Sequence, residues 1–444
     1  MPQKPPRTLD TLFVRSAAQR ALPSEFRLGV RREGERELPV QLLRLAGAVK
    51  YCSRHRVAVH DARLPEDSSE RSIRTAAAVH RPDLAVVWMH PALLADGLEA
   101  ARAVRQAGCP LVLATGPLVE SWPEGARRIP EVDGLLPTGA QAALLAALEA
   151  ISTGQDSRAF GVALQLSPEE DAGVTGTIDR KLLDYAAYSQ PSEFWPPPQL
   201  PPPSRVLRIG NESDKGRYAA SSVPLRHSSG GTLGAEEVLS DMAACDLLGI
   251  PWQELRASRS PISDRAWWEE LFSALRMERD RQTAARRLLN LQLPPGLVRS
   301  LPLVDLRSLS SLMVNLGDVV AGDPEAVDEA IAAARACRRA GLATTMTLLL
   351  GEPGFSLSHE ETGLRKVERA GLDLDAQLRV DIGAVDESAW SSWLEAPGPV
   401  FVPPGLDPDR HSLTLRFRRT QRAKRQERPS QTISRQLKRL FDRR

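Results

Sequence analysis

The groups able to do chemistry in this sequence are its thiols, imidazoles, carboxylates and glycine-rich turns, and their spacing decides which chemistry. Four cysteines, Cys52, Cys109, Cys245 and Cys337, stand 57, 136 and 92 positions apart. Neither a disulfide framework nor a zinc site uses such gaps, so each thiol reads as a small buried residue or an inert side chain. His60-Asp61 ends one apolar run, His90 follows another, and Gly116-Pro117 and Gly139 fall where the chain must reverse. A doubly wound sheet holds its ligands at the carboxyl ends of its strands, which makes His60, Asp61, His90, Gly116 and Gly139 candidate cofactor contacts. A second set, Ser221, Ser222, Arg226, His227, Ser229, Gly230 and Gly231, combines hydroxyls, a guanidinium and backbone N–H groups suited to an anion or a carboxylate. Gly351-Glu352-Pro353-Gly354 is a third candidate turn. The sequence has no G-x-S-x-G, Walker loop or H-E-x-x-H string.

Positioning these groups takes an alternating α/β frame. The helical pattern Leu42, Leu43, Leu45, Ala46, Val49 leads to the run Arg56–Asp61, a helix leads to Leu84–Met89, and a helix over Leu93–Ala107 leads to Leu111–Ala114. A short strand within 130–136 and an Ala/Leu-rich helix over Gly139–Ser152 complete a parallel, doubly wound sheet. Seven prolines between Gln190 and Ser204 then forbid a helix or a central strand. Beyond them alternation resumes: strands at Val206–Ile209, Leu288–Leu293, Ala343–Gly351 and Leu378–Ile382, with helices at Gly234–Leu248, Ser263–Met277, Pro324–Ala340 and Ser358–Ala370. Leu309–Leu316 fits either type. Five or six such units predict a partial (β/α) barrel. The expected organisation is a basic flexible arm over 1–37, a doubly wound domain over 38–155 and a connector over 156–204. The partial barrel then covers 205–390, and an extension with a basic tail covers 391–444.

With 444 residues, 42% of them hydrophobic and 26% charged, the chain can bury a sizeable core. No window approaches the roughly 18 apolar residues of a membrane-spanning helix, and the N-terminus lacks the apolar run of a secretory signal; a cytoplasmic protein is expected. From Arg416 to Arg444, twelve Lys or Arg face only Glu427 and Asp442, while the rest of the chain is net negative. Ile433, Leu437, Leu440 and Phe441 fall on one helical stripe of this tail, which reads as a dock for a protein partner. It lacks the interleaved aromatics that single-stranded nucleic acid requires.

In their order, these patterns resemble the cobalamin-binding-domain radical S-adenosylmethionine (SAM) family over about residues 38–385. The resemblance is carried in the first half by Arg56-Val57-Ala58-Val59-His60-Asp61-Ala62, Arg81-Pro82-Asp83-Leu84-Ala85-Val86-Val87, Thr115-Gly116-Pro117, Val132-Asp133-Gly134 and Thr138-Gly139-Ala140. In the second it is carried by Ala235–Leu239, Val327–Ile331, Ala340-Gly341-Leu342 and Leu349–Gly354. The resemblance implies a cobalamin-binding-like sheet followed by a radical-SAM-type barrel, with cobalamin or SAM as cofactor. That family holds a four-iron four-sulfur cluster on C-x3-C-x2-C, and the corresponding stretch here, Tyr218–Gly231, has no cysteine; laying the spacing from Ser222 gives Ser222, Arg226 and Ser229. Thiolates are what hold such clusters. The chain therefore reads as a degenerate member without an iron–sulfur cluster, non-catalytic or regulatory and acting with a partner enzyme. The alternative is a SAM- or corrinoid-binding enzyme doing non-radical chemistry such as methyl transfer.

Overall fold

A computed structural model of the chain describes residues 6–17, 26–28, 38–63, 70–137, 139–154, 178–183, 190–191, 217–218, 220–225, 232–248, 250, 252–256, 262–281, 288–301, 311–372, 375–380 and 407–421. Two parallel sheets organise it. The first contains β1 (Asp10–Arg15), β3 (Arg56–Asp61), β4 (Leu84–Trp88), β5 (Val112–Thr115) and β6 (Gly134–Leu136), in the order β3-β1-β4-β5-β6. Helices α1 (Val40–Cys52), α2 (Glu70–His80), α3 (Leu94–Gln106) and α6 (Gln141–Ser152) cover it, and the short α4 (Pro117–Ser121) and α5 (Pro123–Arg127) follow β5. Phe13, Leu84, Val86, Trp88 and Leu113 pack with Leu42, Leu45 and Val49 of α1 and Leu144 and Leu148 of α6. On the other face Leu12, Val14, Ala85 and Val87 meet Ile73 and Ala77 of α2 and Ala100, Ala101 and Val104 of α3. Strand β4 is apolar and buried along its whole length because both faces are covered.

The second sheet runs β2 (Phe26–Leu28), then β14 (Asp375–Val380), β13 (Ala343–Leu350), β12 (Ser311–Val320), β11 (Leu288–Gln292), β10 (Trp252–Arg256) and β9 (Ala220–Pro224). Sequential order from β9 to β14 is that of a partial (β/α) barrel. Its helices are α7 (Ala235–Leu247), α8 (Arg265–Arg281), the single-turn α9 (Pro295–Val298), α10 (Pro324–Arg339) and α11 (Leu357–Arg369). A further helix, α12, spans 408–421. Asp323 caps α10 by accepting the N–H groups of Glu325 and Ala326, Pro324 fills its first turn, and Gly341 closes it at φ +76°. The pair β7 (Gln190–Pro191) and β8 (Arg217–Tyr218) forms a small antiparallel ribbon.

Four expectations need correction. The supposed arm is structural: β1 sits between β3 and β4 in the first sheet, and β2 pairs with β14 in the second. Its six residues, with Asp10 and Arg15 at the two ends, carry too short an apolar run to be read as a central strand, and the Arg15 charge is compensated only by tertiary structure. Ser221 and Ser222 belong to β9 rather than to a loop after it. Strand β10 escapes notice because Gln253, Glu254 and Arg256 break its apolar pattern. Part of the expected basic tail is folded, since 416–421 closes α12 with Phe417 and Gln421 buried. Strand β12 resolves the ambiguity at Leu309–Leu316. The strand expected at Val206–Ile209 and the tail stripe beyond residue 421 lie outside the described residues. No helix among them is long and apolar enough to cross a membrane.

Candidate functional site

The first sheet has the doubly wound order in which the strand direction of growth reverses beside β1, between β1 and β4. Ligands of such sheets lie at that reversal, outside the carboxyl ends. Register places Asp61, Arg15, Trp88, Thr115 and Leu136 in one row across those ends, and parallel register partners share a face. Arg15 donates to Asp61 at 3.0 Å with both side chains fully buried, and Asp61 also accepts the Arg63 N–H at 2.9 Å. Beside this pair the polar atoms Trp88 Nε1, Thr115 Oγ1 and Ser16 Oγ are buried with no hydrogen-bond partner. An unsatisfied buried group costs roughly 1–3 kcal/mol, so three of them at one strand edge point to something that satisfies them.

Gly116 stands at φ +98°, and a Cβ there would meet the Met89 carbonyl oxygen and the Trp88 ring at 2.9 Å. Only glycine lets the β5–α4 turn press against the end of β4, where Leu118 donates to Met89 O at 3.1 Å. His90 is buried at the same end of β4, and Gly139, at φ +94°, lies beyond β6. Asp61, His90, Gly116 and Gly139 therefore share one edge. His60 does not join them: it is in register with Val14, on the α2 side, where its Nε2 pairs with Ser72 Oγ at 3.1 Å.

The second sheet has one apolar and one polar face. Val223, Leu255, Leu289, Leu291, Val314, Leu316, Met346 and Leu348 pack under helices α7, α8, α10 and α11. The alternate positions carry Glu254, Arg256, Asn290, Gln292, Asn315, Thr345 and Thr347, with Glu254, Asn290 and Asn315 buried. Glu254 is ion-paired with Arg256 and accepts Asn290 Nδ2 at 3.3 Å. Asn290 Oδ1 is buried with no hydrogen-bond partner. Asn315 accepts the N–H of Gly317 at 2.9 Å, where positive φ accompanies the register shift in β12. Opposite the apolar face, these buried amides, an acid and a base form a polar array able to meet a ligand's polar groups. Ser222 occupies the same register row as Glu254 and Asn290.

The turn after β13 has a different role from the one expected. Gly351, at φ +82°, donates its N–H to Glu360 Oε1 at 2.7 Å, and Arg410 Nε donates to Glu360 Oε2 at 2.9 Å. Arg410 also holds Phe355 O at 2.6 Å. Burial pushes the Glu360 carboxyl up, and the Gly351 N–H and Arg410 pull it back only in part. The Gly351 N–H is thus occupied from within the fold, and Gly351-Glu352 is a clamped turn at the barrel's edge. Arg226, Ser229 and Gly230 lie outside the described residues.

Sequence reasoning missed the polar row on β10–β12, whose signal was the alternation of polar residues through Glu254, Asn290 and Asn315. It also missed Ser16, Trp88 and Thr115, which look like ordinary strand residues, and the Glu360–Arg410 clamp, which only tertiary structure assembles. The outer strand of the second sheet, β2, lies close to residues 91–93, just past the end of β4.

The thiols lie apart from both surfaces. Cys245 and Cys337 are buried in α7 and α10, Cys109 is buried before β5, and Cys52 is exposed at the end of α1. Among the described residues no three His, Cys, Asp or Glu side chains could hold a metal ion.

No protein-family model and no curated protein matches the chain. Solved structures do. One is a radical S-adenosylmethionine methyltransferase, TsrM, from Kitasatospora setae with cobalamin and a four-iron four-sulfur cluster bound; it aligns with a TM-score of 0.55 at 14% identity, over 84% of this chain and 75% of that one. The same enzyme with tryptophan substrate and a SAM analogue, aza-SAM, aligns with a TM-score of 0.55 at 15% identity, over 83% and 72%. At such identities the likeness establishes the fold: a doubly wound parallel sheet joined to a partial (β/α) barrel of the same arrangement.

Proposed function

We propose that the chain binds a corrinoid along the carboxyl edge of the first sheet and SAM on the polar face of the second, and serves methyl transfer. The observation that carries this reading is that Glu254, Asn290 and Asn315 are buried polar residues on one face of β10–β12, opposite its apolar face. The methyltransferase likeness supports it and lends nothing to the non-catalytic role read from the sequence.

The residues fit two of the three groups that the similar enzyme holds. At the reversal point, Ser16, Trp88 and Thr115 offer unpartnered polar atoms, and Gly116 lets the β5–α4 turn press against the end of β4 beside them; a corrinoid, rimmed with amides, suits the polar atoms. SAM carries an amino-acid end and ribose hydroxyls, which match the Glu254 carboxylate, the Arg256 guanidinium and the amides of Asn290, Gln292 and Asn315. A bound SAM supplies an electrophilic methyl group, and a corrinoid a cobalt able to carry one. The chain's share is to orient the charged end through Glu254 and Arg256, to satisfy hydroxyls through its amides, and to keep water from the buried face.

An iron–sulfur cluster does not fit. Burial pushes the Cys109 and Cys337 thiols up to about 11, Cys245 lies in a helical layer, and residues 225–231 contain no cysteine. Anaerobic calorimetry with SAM and with hydroxocobalamin tests the proposal: saturable binding of both is expected, and absence of heat from either ligand ends it.

A further inference from the structure

The segment 178–183 joins a helix of the first sheet to a helix of the second. Its short turn, Arg180–Leu182, is capped by Asp179, whose Oδ1 accepts the Lys181 N–H at 3.0 Å. The other carboxylate oxygen serves the first sheet's layer: Oδ2 receives Tyr51 Oη at 2.8 Å and Lys50 Nζ at 2.6 Å, both from α1. The next residue serves the second layer. Arg180 donates Nη1 to Asp241 Oδ1 at 2.6 Å and Nη2 to Asp241 Oδ2 at 3.0 Å, a two-bond grip on α7. Leu182 packs against both apolar clusters, the one under α1 and α6 and the one that runs on through the second sheet.

Adjacent residues that each hold a different helix act in series. Such a link carries load only while both ends are fastened, and joins nothing once either is free. The two ends differ in strength. The Arg180 and Asp241 side chains are 1% and 18% exposed, a charge-assisted bidentate pair shielded from water. At the other end Lys50 is 41% exposed and Tyr51 58%, where water and salt weaken an ion pair. We infer that Asp179–Arg180 is a joint that fixes the first-sheet unit against the barrel unit, anchored firmly on α7 and releasable on α1. For a chain read as passing a methyl group between two carriers, a fixed separation is what such a joint supplies. The inference itself needs neither carrier, because it is tested in the ligand-free chain.

The test is a distance measurement across the joint in the full chain. Nitroxide labels go on Val79→Cys of α2 and Leu247→Cys of α7, both exposed positions, in a Cys52→Ser background that removes the exposed native thiol. Pulsed electron spin resonance should give one narrow distance distribution with the joint intact. Asp179→Asn keeps the oxygen that caps the turn and presents an amide nitrogen to Lys50 and Tyr51, while Asp241→Asn spoils the grip of Arg180. Either change should broaden the distribution, and the two together should broaden it no further, the non-additivity of contacts in series. Tyr51→Phe, at an exposed ring, stands in for Asp179→Asn where that variant does not fold, with the same expectation. At about 1 M salt, where charges are screened within about 3 Å, the intact joint should broaden as well. A broad distribution with the joint intact at low salt overturns the inference, as do narrow distributions in both single variants or a double variant broader than either. A width that high salt leaves unchanged overturns the releasable end on α1.

Discussion

The Glu360 carboxylate receives the backbone N–H of Gly351 at 2.7 Å while its side chain is wholly removed from solvent. Its other oxygen takes Arg410 of α12 at 2.9 Å, so one acid ties the turn after β13 to a helix 50 residues onward. This clamp, rather than the glycines, fixes the barrel's edge at Gly351.

Glu360→Gln should cost about 1–3 kcal/mol in urea unfolding near neutral pH, through loss of the charge-assisted bond to Arg410. The pH dependence has a definite sign. Burial first, against Gly351 and Arg410, raises the folded-state pKa. A raised acid contributes stability that is fully present below its unfolded pKa and lost as pH climbs through the folded one. Glutamine has no such loss, so the variant's deficit should shrink between about pH 4 and about pH 7. A deficit that grows over this range contradicts the assignment.

Asp61 was expected to touch cofactor, and its geometry gives it a structural task. Asp61→Ala removes the carboxylate from a fully buried Arg15 and should cost about 3–5 kcal/mol by denaturant unfolding. Arg15→Met on that background should recover much of the loss, because the stranded charge is then gone. A double variant no better than the single one would show that the pair is not the source of the cost.

The fold was legible where apolar runs and helical stripes were long. Strands β3, β4, β11 and β13 and helices α1, α6, α10 and α11 follow directly from periodicity, and glycines at 341 and 371 mark the ends of α10 and α11. What stayed hidden depended on compensation across the chain. Arg15 in β1 is tolerable because Asp61 lies beside it, and Glu254 in β10 because Arg256 pairs with it. The same physics hid the site. Trp88 and Thr115 show their unmet hydrogen-bonding capacity only once every neighbour is placed, whereas Gly116 announces itself by standing before Pro117 at a strand end.

Gly116 and Gly371 both need positive φ, but only one is crowded. Gly116→Ala adds a clash with Met89 O and the Trp88 ring to the strain, for about 3 kcal/mol. Gly371→Ala meets nothing within 4 Å and should cost about 1 kcal/mol. Thermal unfolding should rank them in this order; equal losses would mean that the β5–α4 turn yields.

Thiol chemistry should divide the four cysteines. Cys52 is exposed, while Cys109, Cys245 and Cys337 are buried, with the Cys109 and Cys337 thiols pushed up to about 11 by burial. Only the thiolate reacts with an aromatic disulfide reagent. At about pH 8 the native chain should release one fast equivalent, and the denatured chain all four. Two or more fast equivalents would show that the helical layer opens readily.

Asn290 separates binding from stability. Its Nδ2 donates to Glu254 at 3.3 Å, a long contact, while Oδ1 is buried without a partner. In the unliganded chain that orphaned oxygen is a cost, roughly 1–3 kcal/mol, set against one weak bond. Asn290→Leu keeps the volume, removes the orphan and forfeits the bond, so its unfolding free energy should lie within about 1 kcal/mol of wild type. If the polar face holds SAM, the same change strips an acceptor from the liganded state, where Oδ1 is satisfied. Affinity measured by calorimetry should then fall by about tenfold, or about 1.4 kcal/mol. Stability preserved with affinity lost is the signature of a ligand contact. Both falling together would instead make Asn290 a structural residue, and the buried row of β10, β11 and β12 a polar core rather than a site.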